Sequence, residues 1–162
     1  MKYNFACVCY GNKYPVEYVQ KLFMMVTRNT TIPNLNFYVF TDHVKMHKMV
    51  FGDNLNIIQF PEHDLEGWWN KMQLFHPDVK LEGTTLYMDL DVVIMKNIDC
   101  FFEIGEDKNF VGMNDFNPTT GNFNSSIMRF NNQYHSKPIW KQYIKDVVNL
   151  VNFMVTKKSY LY

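Results

Sequence analysis

The chain has 162 residues, which is enough for one domain with a substantial core and too few for two. Hydrophobic residues make up 47% of the chain, and its 16 lysines and arginines balance its 16 aspartates and glutamates. A chain without net charge lacks the broad basic surface that favours nucleic acids or anionic membranes, so we expect neither as a partner.

The first half of the chain alternates predicted strands and helices. An apolar run from Lys2 to Cys9 is typical of a strand that is buried on both faces. Pro15 suits the first turn of a helix, which is then continued by an apolar stripe at Val16, Val19, Phe23 and Val26. Further strands are predicted over residues 37–40 and 56–60, followed by a short helical segment over residues 67–76.

The second half continues this alternation. Apolar runs over residues 86–88 and 92–95 flank Asp89-Leu90-Asp91, which favours one strand interrupted by two carboxylates. Two short strands are predicted over residues 110–113 and 124–130, and Ser136 and Pro138 are expected to begin a last helix. This order predicts a single α/β domain over residues 1–162, a sandwich with a mostly parallel central sheet.

The sequence carries no signal for a membrane or for secretion. It contains no run of about 18 apolar residues, so no transmembrane helix is predicted. The apolar run at the N-terminus ends at Gly11 and is too short for a secretory signal. Cys7 and Cys9 fall inside the first strand and are interpreted as core residues. We therefore expect a cytoplasmic protein.

Polar residues follow several of the predicted strands. They are Tyr10-Gly11, Thr41-Asp42, Asp89-Leu90-Asp91 and Asn114-Asp115. In open α/β sheets, ligands bind at the carboxyl ends of the strands. Four strand ends that carry polar groups are therefore expected to build one cleft.

The segment Asp89-Leu90-Asp91 is the strongest candidate for chemistry. Two carboxylates within an apolar strand are costly to bury unless they are neutralised. In an extended strand, Asp89 and Asp91 point to the same side. Two hard oxygen ligands suit Mg²⁺ or Mn²⁺, which also bind the oxygens of a substrate diphosphate. The alternative is a strand end with two solvated aspartates and no metal.

Four segments together resemble glycosyltransferases of the GT-A fold, a Rossmann-like three-layer sandwich, and especially the family 8 type that includes glycogenin and bacterial galactosyltransferases. The segments are CVCYGNKYPVEYV (7–19), GWWNKMQLF (67–75), LYMDLDVVI (86–94) and FNSSIMRF (123–130). They resemble, in order, the nucleotide-holding strand and helix, the helix before the metal strand, the Asp-x-Asp strand and the strand after the sugar site. The resemblance covers about residues 3 to 150.

This resemblance implies a nucleotide-sugar donor, expected to be a UDP-sugar, and a hydroxyl-bearing acceptor that is a glycan, a lipid or a protein. Asp89 and Asp91 would hold Mn²⁺ or Mg²⁺ and, through it, the diphosphate. The residues implied around the nucleotide are Tyr10, Gly11, Tyr14, Asp42, Lys71 and Leu90. Those implied around the donor sugar are Lys71, Asp115, Asn124 and Ser125. Family 8 members retain the anomeric configuration, and the same outcome is implied here.

The chain departs from the family in its length. Members run well beyond 200 residues, and their later part supplies a histidine that completes the metal site, together with much of the acceptor site. We therefore expect a nucleotide-sugar-binding domain that lacks the usual C-terminal acceptor part. His135 lies in a segment that faintly resembles the one with the metal-binding histidine, but it fits the start of a helix better.

Two other functions remain open from the sequence. The first is a non-catalytic module, or a fragment, that binds a nucleotide sugar without transferring it. The second is a phosphohydrolase of the haloacid-dehalogenase type, in which the first Asp of an Asp-x-Asp pair is the nucleophile. Those enzymes normally follow the motif with a Gly-Thr or Thr-Val turn, whereas Val92-Val93-Ile94 favours a continuing strand.

Overall fold

A computed structural model describes residues 1–62, 64–117, 119 and 123–158, with side chains through residue 148. The strands of this part are β1 (Tyr3–Cys9), β2 (Asn36–Thr41), β3 (Asn56–Gln59), β4 (Thr84–Met88), β5 (Val111–Asn114) and β6 (Phe123–Asn131). The α-helices are α1 (Val16–Arg28), α2 (Val44–Phe51), α3 (Asp99–Glu103) and α4 (Asn132–Lys158). Two 3₁₀ helices cover Gly52–Asn54 and Gly67–Phe75.

The six strands form one mixed sheet in the order β3-β2-β1-β4-β6-β5. β1 pairs in parallel with both β2 and β4, and β2 pairs in parallel with β3. β6 is antiparallel to its neighbours β4 and β5. The chain moves outward from β1 through β2 and β3, then returns to the other side of β1 as β4. This reversal opens a crevice between β1 and β4 at their carboxyl ends.

The sheet lies between two hydrophobic cores. Phe5, Cys7 and Cys9 of β1 face the core that contains α1, whereas Ala6 and Val8 face the core beneath the 3₁₀ helix Gly67–Phe75 and α4. Alternate residues of a strand point to opposite faces, so a strand covered on both sides carries apolar residues at successive positions, as Phe5 to Cys9 do. The predicted α/β sandwich with a mostly parallel central sheet is confirmed. In the described part of the chain, none of the helices has both the length and the apolar character needed to span a membrane.

The predicted strand through Asp89-Leu90-Asp91 is wrong. β4 ends at Met88, and the Val92 backbone N–H donates to the Asp89 carbonyl at 3.2 Å, which closes a turn. Residues 92–95 belong to no strand. The turn allows Leu90 to enter the core under α1, where it is 4% exposed. After the motif, Ile94 is buried in this core and Val92 packs against it, whereas Val93 and Met95 are exposed.

The predicted start of the last helix is also wrong. α4 begins at Asn132, directly after β6, because Asn131 Oδ1 accepts the Gln133 backbone N–H at 3.0 Å and caps the helix there. Ser136 lies within the helix and donates its hydroxyl to the Phe75 carbonyl at 2.8 Å. Pro138 lies inside the helix as well. The fold also contains the helices α2 and α3, which no pattern in the sequence predicted.

Gly83 is required where the chain enters β4. Its φ is +90°, and a Cβ there would lie 2.2 Å from the Lys2 carbonyl oxygen, which accepts the Thr84 N–H. We expect Gly83→Ala to lower the free energy of unfolding by at least about 2 kcal/mol in urea denaturation. Gly52 is the matched control, because its φ is +56° and a Cβ would meet nothing within 4 Å. Equal losses in the two variants would contradict the steric explanation.

Candidate functional site

A polar cleft of about 380 Å³ lies at the carboxyl ends of β1 and β4. β1 contributes Val8 and the following Tyr10, and β4 contributes Tyr87 and the turn that follows it. This is the point where the strand order reverses, which is the usual ligand position in open α/β sheets. The sheet topology therefore places the cleft where the predicted strand ends meet.

β6 and β5 supply the opposite wall of the cleft. Because β6 is antiparallel to β4, its first residues lie beside the last residues of β4, and the Asp89 N–H donates to the Ser126 carbonyl at 2.9 Å. This pairing brings Asn124 and Ser125 to the cleft. β5 runs in the same direction as β4, so the residue that follows it, Asp115, reaches the same cleft.

Asp89 is held by two neighbours inside the cleft. Lys71 Nζ lies 2.9 Å from both carboxylate oxygens, and the Tyr87 hydroxyl donates to Oδ1. Burial, reinforced by the charge of Asp89, raises the pKa of Tyr87 well above its usual value, so Tyr87 stays a proton donor. Lys71 also donates to Ser125 Oγ at 3.1 Å. Asp89 is thus neutralised by a lysine that comes from the 3₁₀ helix Gly67–Phe75.

Asp91 lies on the exposed side of the same turn. Its Oδ2 accepts the hydroxyl of Tyr14 at 2.7 Å, which connects the loop after β1 to the turn after β4. The hydrogen bond to Asp91 raises the pKa of Tyr14, so Tyr14 remains protonated at neutral pH. Both aspartates line the cleft although the backbone between them is not extended. The turn, and not strand alternation, presents them to one space.

Most residues predicted around the ligand come together in this cleft. Those that line it are Tyr10, Tyr14, Lys71, Asp89, Leu90, Asp91, Asp115, Asn124 and Ser125. Of these, Leu90 contributes little accessible side-chain surface, because it packs in the core.

Two predicted residues, Gly11 and Asp42, do not line the cleft. The Gly11 N–H donates to both carboxylate oxygens of Asp42, at 3.2 and 3.0 Å. Asp42 lines a separate surface pocket together with His43 and Gln59. The carboxylate after β2 therefore holds the loop after β1, which in turn carries Tyr10 and Tyr14. The resemblance implied a direct contact with the nucleotide, whereas the structure gives this pair a contact within the protein.

Some cleft residues were not among the predicted site residues. They are Val8, Lys13, Trp68, Tyr87, Phe123 and Ser126. The position of Tyr87 could have been predicted from the sequence, because it lies two residues before Asp89 and therefore on the same side of the strand end. The position of Lys13 could not have been predicted from the sequence, because it depends on how the loop after β1 folds over the cleft.

The donor set of the cleft suits a hard divalent cation bound together with a substrate. The described residues contain no group of three or more His, Cys, Asp or Glu side chains arranged to hold a metal. Asp89 and Asp91 supply two carboxylates, and Mg²⁺ commonly binds one or two carboxylates with waters and substrate phosphates in the remaining positions. His135 is engaged elsewhere, with its Nε2 3.1 Å from the Lys108 carbonyl oxygen. Two carboxylates leave the other positions of such a cation to water or to a bound molecule, so the described residues do not close a metal site on their own.

Comparison with known proteins places the fold among glycosyltransferases. By sequence, the chain matches no protein-family model and no curated protein. It is similar in structure to the apo form of the glycosyltransferase GlyE from Streptococcus pneumoniae TIGR4, with a TM-score of 0.64, 13% identity and coverage of 92% of this chain and 39% of GlyE. It is also similar to apo mouse xyloside xylosyltransferase 1, with a TM-score of 0.54, 14% identity and coverage of 90% of this chain and 76% of that chain.

The likeness to these proteins is one of fold, and it covers only part of GlyE. The chain spans about two fifths of the length of GlyE, so the activity of that whole protein does not carry over with its fold. At 13% and 14% identity, the likeness concerns backbone architecture and not individual side chains. The chain has a Rossmann-like fold of the kind found in glycosyltransferases.

Proposed function

We propose that this chain binds a nucleoside-diphosphate sugar, a UDP-sugar, together with Mn²⁺ or Mg²⁺, and transfers the sugar to a hydroxyl acceptor. The observation that carries the proposal is the gathering of Asp89, Asp91, Lys71 and the polar start of β6 around one cleft. These groups come from three separate parts of the chain: the 3₁₀ helix Gly67–Phe75, the turn after β4 and the start of β6. A solvated strand end without a function would not need them in one place.

The charge of the cleft supports a requirement for the cation. Two lysines, Lys13 and Lys71, and three aspartates, Asp89, Asp91 and Asp115, line it, so its formal charge is −1. A diphosphate is repelled by such a lining. One divalent cation changes the formal charge to +1, which attracts the diphosphate. The ligand is therefore expected to enter with the metal or after it.

Each part of the donor has a matching group in the cleft. Asp89 and Asp91 would hold the metal, which stabilises the departing nucleoside diphosphate as a Lewis acid. Lys71, whose ammonium contacts both Asp89 and Ser125, would move that ammonium from Asp89 to a phosphate oxygen. The aromatic rings of Tyr10 and Tyr14 offer faces for the base and the ribose. This arrangement positions the donor and assigns no base or nucleophile to the protein.

A titration of the purified chain with UDP-sugars, with and without Mn²⁺, tests the proposal. We expect saturable binding that needs the metal, and slow release of UDP when the acceptor is replaced by water. Binding that needs Mn²⁺ but releases no UDP, with any acceptor, would favour a donor-binding module. Release of phosphate from phosphomonoesters, with no affinity for UDP-sugars, would contradict the proposal and favour a phosphohydrolase.

A further inference from the structure

A second cavity, of about 540 Å³, adjoins the polar cleft. The two spaces share a wall formed by Trp68, Lys71, Phe123 and Ser125. The second cavity extends from this wall between the 3₁₀ helix Gly67–Phe75, β6 and the first turns of α4. A molecule that occupies it therefore reaches the polar cleft directly.

The lining of this cavity is almost wholly apolar. Its interior surface comes from Met72, Phe75, Phe110, Met128 and Ile139, with Trp69 at the rim. Lys71 and Ser125 are polar, but both lie on the wall shared with the cleft. His135 is the remaining ionisable group, and its two ring nitrogens are engaged by Asn131 and by the Lys108 carbonyl.

The apolar lining of the cavity favours an apolar ligand group over a polar one. A buried sugar ring would leave hydroxyls without hydrogen-bond partners, and each such loss costs free energy. A flat apolar ring would instead meet aromatic edges and methionine sulfurs, which are favourable neighbours for it. The rim residues Trp68 and Phe123 are 72% and 57% exposed, and large aromatic side chains left open to water commonly mark a binding surface.

We infer that this cavity receives an aryl group of the acceptor, whose hydroxyl then lies in the polar cleft beside the donor. The inference rests on the proposed transfer function and names its acceptor class. In the transfer, the acceptor oxygen bonds to the anomeric carbon and the bond from that carbon to the diphosphate breaks. The nucleoside diphosphate leaves with the electron pair, and the hydroxyl proton is released to water. Because the two spaces are continuous, a molecule whose aryl group fills the cavity can also present a hydroxyl in the polar cleft. The aryl group is therefore assigned to the acceptor.

A matched pair of glycosides tests the inference. Phenyl β-D-glucoside and methyl β-D-glucoside carry the same sugar hydroxyls and differ only in the group on the anomeric oxygen, which is aromatic in one and a methyl group in the other. Trp68 and Trp69 line the cavity and are two of the three tryptophans of the chain, so intrinsic fluorescence reports its occupancy. We expect the phenyl compound to bind at least about tenfold more tightly, because burial of an aromatic ring is worth that much or more. Equal affinities would overturn the inference.

Met72→Gln places an amide in the cavity without touching the polar cleft. We expect it to reduce the preference for the phenyl compound to less than about threefold, since the ring then meets an unpaired amide. Met49→Gln is the matched control, because Met49 is 88% exposed on α2, and it should keep the full preference. A chain that dimerises in sedimentation experiments, and that Met72→Gln makes monomeric, would overturn the inference in favour of an interface between copies.

Binding of UDP with Mn²⁺, measured without any glycoside, separates this inference from the proposed function. If the chain binds UDP with Mn²⁺ but shows no preference for the phenyl compound, the inference of an aryl acceptor is wrong and the proposed function stands. Absence of UDP binding would remove the proposed function, and with it the acceptor role of the cavity, whatever the glycosides show.

Discussion

Asp91→Asn is expected to weaken Mn²⁺-dependent binding of a UDP-sugar by at least about a hundredfold. The substitution removes one of the two carboxylate charges that offset the cation. It retains the size of the side chain. In the wild type the Tyr14 hydroxyl donates to Asp91 Oδ2 at 2.7 Å, and the amide oxygen of the variant can accept the same hydrogen bond. Isothermal titration with the nucleotide sugar, at saturating and at zero Mn²⁺, measures the effect.

The control for this variant is Asp53→Asn. Asp53 is an exposed carboxylate in the 3₁₀ helix Gly52–Asn54 and does not border the cleft. It should bind the donor as the wild type does, and both variants should unfold at the wild-type temperature. Donor binding by Asp91→Asn that equals the wild type at every Mn²⁺ concentration would remove the metal site.

Lys71→Met is expected to change metal binding and donor binding in opposite directions. Lys71 Nζ now lies 2.9 Å from both oxygens of Asp89, so the lysine competes with a cation for that carboxylate. Without it, the affinity for Mn²⁺ alone should rise about tenfold. The affinity for the UDP-sugar at saturating Mn²⁺ should fall at least about tenfold, because a charged donor to the phosphates is lost.

Opposite changes in the two affinities would distinguish a lysine that contacts the ligand from a lysine that only supports the fold. A lysine that only supported the fold would weaken both ligands together and lower the unfolding temperature. Lys48→Met serves as the control, because Lys48 is an exposed residue of α2 outside the cleft. Paramagnetic relaxation of water by Mn²⁺ gives the metal affinity, and calorimetry at saturating metal gives the donor affinity. Loss of affinity for both ligands would show that the Lys71–Asp89 pair does not compete with a cation.

Some elements of the fold follow from residues that are close together in the sequence, and others depend on distant residues. The elements β1 and α1 follow from patterns of neighbouring residues, which record burial on both faces for the strand and on one face for the helix. The turn at Asp89-Leu90-Asp91 does not follow in this way. Its flanking apolar runs are equally compatible with a continuing strand, and the choice is made by the packing of Leu90 against α1.

By itself, the sequence determined the α/β class, the alternation of its main elements and the position of two acidic residues directly after the apolar run that forms β4. Tertiary structure alone decided which groups surround those residues. Tyr14 and Asp91 are 77 residues apart, and Lys71 and Asp89 are 18 apart, yet each pair is in hydrogen-bond contact. The apolar cavity beside the cleft likewise exists only once α4 packs near the 3₁₀ helix Gly67–Phe75. Local patterns encode which side of an element is buried, whereas the partners across a cleft depend on strand order and direction, which no local pattern records.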